Sequence, residues 1–220
     1  MEDYPATLAV IGSTDFTGVT RDYLVSQPPT EPSIFHAGRN LAHFLWRHSI
    51  SRRWPFIAEL ARLERATLEA FHAPDAPTDE TMRRIPPEQW PLMELRLHLT
   101  VEILRGEWRV SEVLCAVEAG EKWIAAAHER TAVIVWRQDT RVRYRILQDA
   151  EAEAMTLMQK EASFAVVCEA LADASSSSDQ AASIGRLLTR WLADGVIASA
   201  DSVPRLSTND TREMIERTER

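Results

Sequence analysis

The sequence has only two cysteines, at positions 115 and 168, and no apolar run near the ~18 residues that a membrane-spanning helix needs. It also lacks a Cys-x-x-Cys pair, a Gly-rich phosphate loop and a Gly-x-Ser-x-Gly elbow. A disulfide framework, a helical membrane anchor and the common nucleotide and hydrolase motifs are thereby set aside. Cys115 and Cys168 stand among apolar neighbours, which reads as reduced thiols packed in helices and points to a reducing compartment. The opening Met1-Glu2-Asp3-Tyr4-Pro5 has neither the basic start nor the apolar stretch of a signal peptide. The expectation is a cytoplasmic protein, neither exported by that route nor inserted. Excess positive charge is missing too: the net charge is −8, spread along the chain, so non-specific attraction to nucleic acid or an anionic membrane is disfavoured. Any basic function must be local.

What is present is 220 residues of which 45% are apolar, enough for one large domain or two small ones. Residues 1–50 hold short helical stretches broken at Pro28-Pro29 and Pro32, after which Ile34, Leu41, Phe44 and Leu45 recur at helical spacing. Ile57, Leu60, Ala61, Leu63, Leu68 and Phe71 predict a long amphipathic helix over 54–73, stopped by Pro74 and Pro77. It is expected to be the spine of an N-terminal helical domain over 1–92, whose last part, from Ala73 to Pro91, reads as a loop. Alternation in Leu95-Arg96-Leu97-His98-Leu99 predicts a strand that Val101–Leu104 continues or kinks, and Val110, Val113, Leu114 and Val117 a short helix. Thr131–Arg137 and Val142–Leu147 predict a β-hairpin around Asp139-Thr140. Three helices follow: one over 149–160 with Asp149 as N-cap, one after Ser163, and one with Ile184, Leu187, Leu188, Trp191 and Leu192 that ends at Gly195 and leads into Val196-Ile197-Ala198. Ser175–Ser178 reads as a connector, and residues 201–220 as a polar tail. The fold class expected is α+β, with a winged-helix-like module over 93–200.

Such a module serves nucleic acid or peptide. The helix from Gln180 to Asp194 offers only Arg186 and Arg190, and the connector before it is longer than a helix-turn-helix allows, so a DNA-binding transcriptional regulator is the alternative rather than the first reading. On the hairpin, alternation places Arg143, Arg145, Trp136 and Ile134 on one face and Val133, Val135, Val142, Tyr144 and Ile146 on the other. One face is expected to build core while the other stays basic and aromatic, either as a solvated wing or as a ledge for an extended peptide. The peptide groove is expected between the outer strand and the third helix, with Val133, Val135 and Tyr144 beneath, Arg186 and Arg190 on the helix, and Arg143 adding charge. Catalytic signals are thin. Glu69-x-x-His72 occurs in a single copy where a di-iron bundle needs two, and His36, His43 and His48 do not share one helix face. No catalytic residue, metal ligand or cofactor is expected in this chain. Glu64, inside an apolar stripe, is expected to meet an arginine in the core.

The stretch Pro55-Phe56-Ile57-Ala58-Glu59-Leu60-Ala61-Arg62-Leu63-Glu64, with Ala70-Phe71-His72-Ala73, Asp75-Ala76-Pro77, Leu95-Arg96-Leu97-His98, Trp136-Arg137 and Arg190-Trp191-Leu192-Ala193-Asp194-Gly195, resembles the bacterial HvfC/BufC-type family, long labelled a DNA-binding domain. The resemblance runs from about residue 5 to residue 200, with Arg65 where that family often has Trp and His98-Leu99-Thr100 in place of a common His-Pro-Ser. It implies a partner subunit of TIM-barrel multinuclear iron oxygenases that modify cysteines of ribosomally made peptides, as in methanobactin, bufferin and thiaglutamate pathways. On that resemblance iron belongs to the partner enzyme, and the C-terminal module docks the leader of the precursor peptide.

Overall fold

In the computed structural model the described residues are 3–29, 34–75, 82, 84–86, 88–173 and 180–202. The chain opens with α1 (Pro5–Ile11) and α2 (Ser13–Ser26), hinged at Gly12, whose φ of 81° favours glycine. The helix expected after Pro32 divides into α3 (Ile34–Ala37) and α4 (Leu41–Arg47), because Gly38–Asn40 form a turn and the Tyr4 hydroxyl donates to the Gly38 carbonyl there. The long amphipathic helix is α5 (Ile57–His72). Its Ile57, Leu60, Ala61 and Leu63 are buried, whereas Phe71 is exposed.

β1 (Met93–Leu97) is the strand expected from alternation, but the chain after it does not continue that strand. It turns at His98–Thr100 and enters β2 (Glu102–Trp108) of a different sheet. α6 (Val110–Glu118) follows, then β3 (His128–Gln138) and β4 (Arg141–Leu147). The hairpin has the expected two-residue loop, Gln138 pairing with Arg141. Asp139 takes a φ of 55° in that loop, a conformation its short polar side chain tolerates. Next come α7 (Asp149–Gln159), α8 (Phe164–Asp173) and α9 (Gln180–Ala193), and then β5 (Ile197–Ser202) after Gly195 in the left-handed region. Gln148 rather than Asp149 takes the N-cap position of α7, so Asp149 is its first helical residue and favours the positive end of the dipole. The connector Ser175–Ser178 and the tail from residue 203 lie outside the described residues.

Two antiparallel sheets result, one with the order β2-β3-β4 and one pairing β1 with β5. The final strand thus joins β1 instead of the hairpin's sheet. Both faces of the three-stranded sheet are covered. Val133 and Val135 pack with α5 and the other N-terminal helices in one core, while Ala132, Ile134, Trp136 and Leu147 pack with α7, α8, Trp191 and Ile197 in the other. Each core draws residues from both sides of the position 92/93, as Met82, Ile85 and Trp90 join the second and Leu104, Val133 and Val135 the first. The molecule is therefore layered: N-terminal helices, sheet, C-terminal helices. Cys115 lies on the exposed side of α6, against the expectation of a packed thiol, and Cys168 is partly buried.

Candidate functional site

The register of the hairpin fixes which side chains share a face. Ile134 pairs with Arg145 and Trp136 with Arg143, on the side of α7 and α9; Val133 pairs with Ile146 and Val135 with Tyr144, on the side of α5. The face assignment made from alternation is the observed one. The expectation that one of these faces stays open as a basic, aromatic ledge is corrected, because Trp136 is only 4% exposed and donates its indole N–H to the Asp194 carbonyl at 2.9 Å. An indole buried this far removes roughly 200 Å² of surface from water, worth on the order of 5 kcal/mol at ~25 cal/mol per Å². That burial holds the end of α9 against β3, helped by the Gln138 side-chain amide, which donates to the Ala193 carbonyl.

The six residues expected to line a peptide groove separate into two sets. Val133 and Val135 are fully buried beneath α5, and Tyr144 beside them donates its hydroxyl to Glu118 of α6 at 2.7 Å. Burial, and then the Glu118 charge, push the Tyr144 phenol well above its ordinary range. These three therefore form packed structure and do not floor a groove facing α9. Arg143, Arg186 and Arg190 are exposed on the opposite side. Arg186 donates to Ser183 at 2.9 Å, and Arg190 pairs with Asp194 one turn away at 3.6 Å.

Between β4 and α9 sits a buried charge network. Arg145 donates both terminal nitrogens to Glu151, at 2.8 and 2.5 Å, and the Trp191 indole donates to the same carboxylate at 2.8 Å. Burial alone would raise the Glu151 carboxyl, yet the Arg145 and Trp191 hydrogen bonds and the charges of Arg145 and Arg190 hold it below its ordinary range. Because Trp191 is fully buried and Glu151 nearly so, this network sets the distance between α9 and the sheet.

The two edges of the sheet differ. On β2, the Glu59 carboxylate of α5 accepts from Glu107 N–H at 3.0 Å and from Trp108 N–H at 3.1 Å, and Arg62 donates to the Arg105 carbonyl at 3.3 Å. Gly106 makes this possible: a Cβ there would stand 2.2 Å from Glu59 Oε2. α5 thus occupies part of the main chain of that edge with side chains. On β4, no hydrogen bond from another described element reaches the main chain of the outer edge.

Other expectations resolve as structure. Among the described residues Glu64 meets no arginine; its carboxylate accepts from Ala6 N–H at 2.5 Å, Thr7 N–H at 3.0 Å and the Thr7 hydroxyl at 2.6 Å, tying the first turn of α1 to α5. Burial pushes the Glu64 carboxyl up to about 7 against these bonds. Glu69 of the Glu-x-x-His stretch is held by Arg65 at 2.7 Å, and His72 packs edge-on to Phe35. Arg137 binds the Phe71, Ala73 and Pro74 carbonyls and the Asp75 carboxylate, so the Trp136-Arg137 and Phe71–Asp75 segments meet at the end of α5. Among the described residues no three of His, Cys, Asp and Glu converge as metal ligands would.

Compared with protein-family models and with curated proteins, the chain matches none. Its site must be read from geometry. Sequence reasoning missed a cleft of about 950 Å³ along the outer edge of β2, between α4–α5 and α7, lined by Arg39, Arg62, Arg105 and Arg130 and by the carboxylates of Glu59, Glu107, Asp149 and Glu153. These arginines occupy exposed positions on distant elements, and only the signal of solvent-facing charge on otherwise apolar helices and strands was there to find.

Proposed function

We propose that the chain is a non-catalytic partner subunit that binds the leader of a ribosomally made precursor peptide and forms a complex with an iron-dependent oxygenase that modifies a cysteine of that peptide. The observation that carries the reading is the outer edge of β4, on the sheet that α9 packs against, whose main chain no hydrogen bond from another described element reaches. An extended peptide satisfies such an edge with its own main chain, and side chains on a neighbouring helix add selectivity. The β3–β4 hairpin followed directly by three helices supports a winged-helix-like peptide-recognition module, although α6 separates β2 from the hairpin and β5 pairs with β1. Arg143 on the strand and Arg186 and Arg190 on the helix supply positive charge on the side of the sheet that α9 covers. The contrast with β2 strengthens the choice of edge, since Glu59 and Arg62 already engage main-chain groups there.

The test is titration of a fluorescently labelled precursor leader against the intact chain and the Arg186→Glu, Arg190→Glu double variant. Both arginines lie off the buried side of α9, so the fold is expected to persist while affinity falls by about 1–3 kcal/mol, the scale of charge-assisted hydrogen bonds. Unchanged affinity in a folded double variant refutes this placement. Failure of the chain to co-purify with an oxygenase encoded beside it would refute the partner assignment.

A further inference from the structure

Only alternate residues of an antiparallel strand pair exchange main-chain hydrogen bonds. Gln138 and Arg141 flank the two-residue loop and close it as such a pair, so Trp136–Arg143 and Ile134–Arg145 are the next ones along β4. The N–H and C=O groups of Val142, Tyr144 and Ile146 therefore point away from β3, along the outer edge. The side chains of those three lie half-buried against the core under α5, with Glu118 accepting from the Tyr144 hydroxyl. Arg141, Arg143 and Arg145 line the opposite face of the strand. Arg145 is committed to Glu151, whereas among the described residues no hydrogen bond or ion pair holds Arg141 or Arg143, and both are exposed. The carboxylates on that side are mostly engaged or elsewhere. Glu151 is taken by Arg145 and Trp191, Asp194 pairs with Arg190, and Asp149 lines the cleft at the β2 edge. Asp139, in the turn before Arg141, is the one that remains.

We propose that the strand accepted at this edge has an acid-apolar-acid order, its two carboxylates opposite Arg141 and Arg143 and the apolar residue between them over Val142. This rests on the reading of the β4 edge as the place where the leader lands. Side chains directly opposite on neighbouring strands stand ~4.5–5.5 Å apart, so each carboxylate reaches one guanidinium while the main chains bond at Val142 and Tyr144. A third carboxylate, opposite Arg145, is not accommodated because Glu151 already occupies that guanidinium. Selection comes from the order of the side chains and not from net charge. Two carboxylates in succession would put one of them over half-buried Val142, on the side of Glu118. The same row keeps the edge from pairing with a second copy of itself. In every antiparallel register of β4 with β4 that pairs two of the outward residues, arginine stands opposite arginine, which disfavours the pairing. The arginines thus reject the strand nearest to hand and admit one of complementary pattern.

The experiment uses the full chain and short labelled peptides with a Glu-Val-Glu centre, the same residues reordered to Glu-Glu-Val, or Lys-Val-Lys, followed by fluorescence anisotropy at physiological salt, where charges beyond ~8 Å are screened. Hydrogen exchange at the Val142, Tyr144 and Ile146 amides is read alongside. The Glu-Val-Glu peptide is expected to bind and to slow that exchange, the reordered peptide to bind at least about threefold more weakly, and the Lys-Val-Lys peptide to bind more weakly still. Arg141→Glu with Arg143→Glu is expected to reverse the preference in favour of Lys-Val-Lys, a gain that a misfolded variant cannot give. Arg141→Gln with Arg143→Gln is expected to bind both Glu orders alike, and thermal melting checks that it is folded. Equal binding of the two Glu orders to the parent, with those amides protected, overturns the pattern and leaves the edge reading standing. Binding without protection overturns the edge reading and the pattern with it. The pattern is also overturned if Glu-Val-Glu does not bind, or if the folded glutamine variant keeps the parent's discrimination.

Discussion

Replacing Glu151 by alanine removes the acceptor shared by Arg145 and Trp191. The Arg145 side chain is 14% exposed and that of Glu151 5%, so the guanidinium left behind is largely out of water with no counter-charge. Breaking a buried pair from one side costs about 3–5 kcal/mol, and an orphaned indole N–H is included in a loss of that size. This is a large share of the ~5–15 kcal/mol that holds an ordinary domain together. Replacing both Arg145 and Glu151 by methionine is expected to recover most of the loss, because apolar side chains of similar volume avoid the stranded charge. The assay is urea unfolding of parent, single and double variants, read from the midpoint at constant slope. A single variant that loses less than about 1 kcal/mol refutes the view that this network positions α9, as does a double variant no better than the single.

Two further outcomes follow from α5. Burial raises the Glu64 carboxyl from 4.5 to about 7, so the folded state holds that proton more tightly than the unfolded chain. Its contribution is full below the unfolded value and is lost as pH rises through the folded one, a fall of roughly 3 kcal/mol between pH 4.5 and 8 that a Glu64→Gln variant should not show. Flat stability in the parent over that range contradicts the assignment. In Gly106→Ala the new Cβ would meet Glu59 Oε2 at 2.2 Å, pushing the carboxylate off the β2 edge. The expected cost is about 1–3 kcal/mol with faster hydrogen exchange at the Glu107 and Trp108 amides; unchanged exchange at those two amides argues against the plug.

The elements readable from sequence were those with a clean local period. Alternation, with Asp139-Thr140 taken as a two-residue loop, gave the hairpin's two faces, and the spacing of Ile184, Leu187, Leu188 and Trp191 with Gly195 gave α9 and its end. β2 was not readable as a separate strand, because Glu102, Arg105 and Glu107 interrupt its apolar residues and only pairing with β3 orders it. The covering of both hairpin faces had a signal in the unbroken run Ala132-Val133-Ile134-Val135-Trp136, since a strand buried on both sides reads as a continuous apolar segment. Applied there, that rule would have removed Val133 and Val135 from the groove. The partner of Glu64 was invisible because it lies 57 and 58 positions away in α1, and no local pattern carries such a contact.

The pairing of β1 with β5 bears on how the chain reaches its native state. Arg96 and Asp201, which form a diagonal ion pair across that small sheet, are 105 positions apart. Closing a loop of that length costs entropy that local contacts do not repay, so the hairpin and its flanking helices form sooner than this sheet. During synthesis, β1 has no partner strand until Ile197–Ser202 has left the ribosome, although α7 and α8 can already pack on Leu95. A chain cut short before residue 197 would therefore carry an unpaired strand edge beside an open core, a species prone to self-association even though most of its helices and the whole three-stranded sheet could still form.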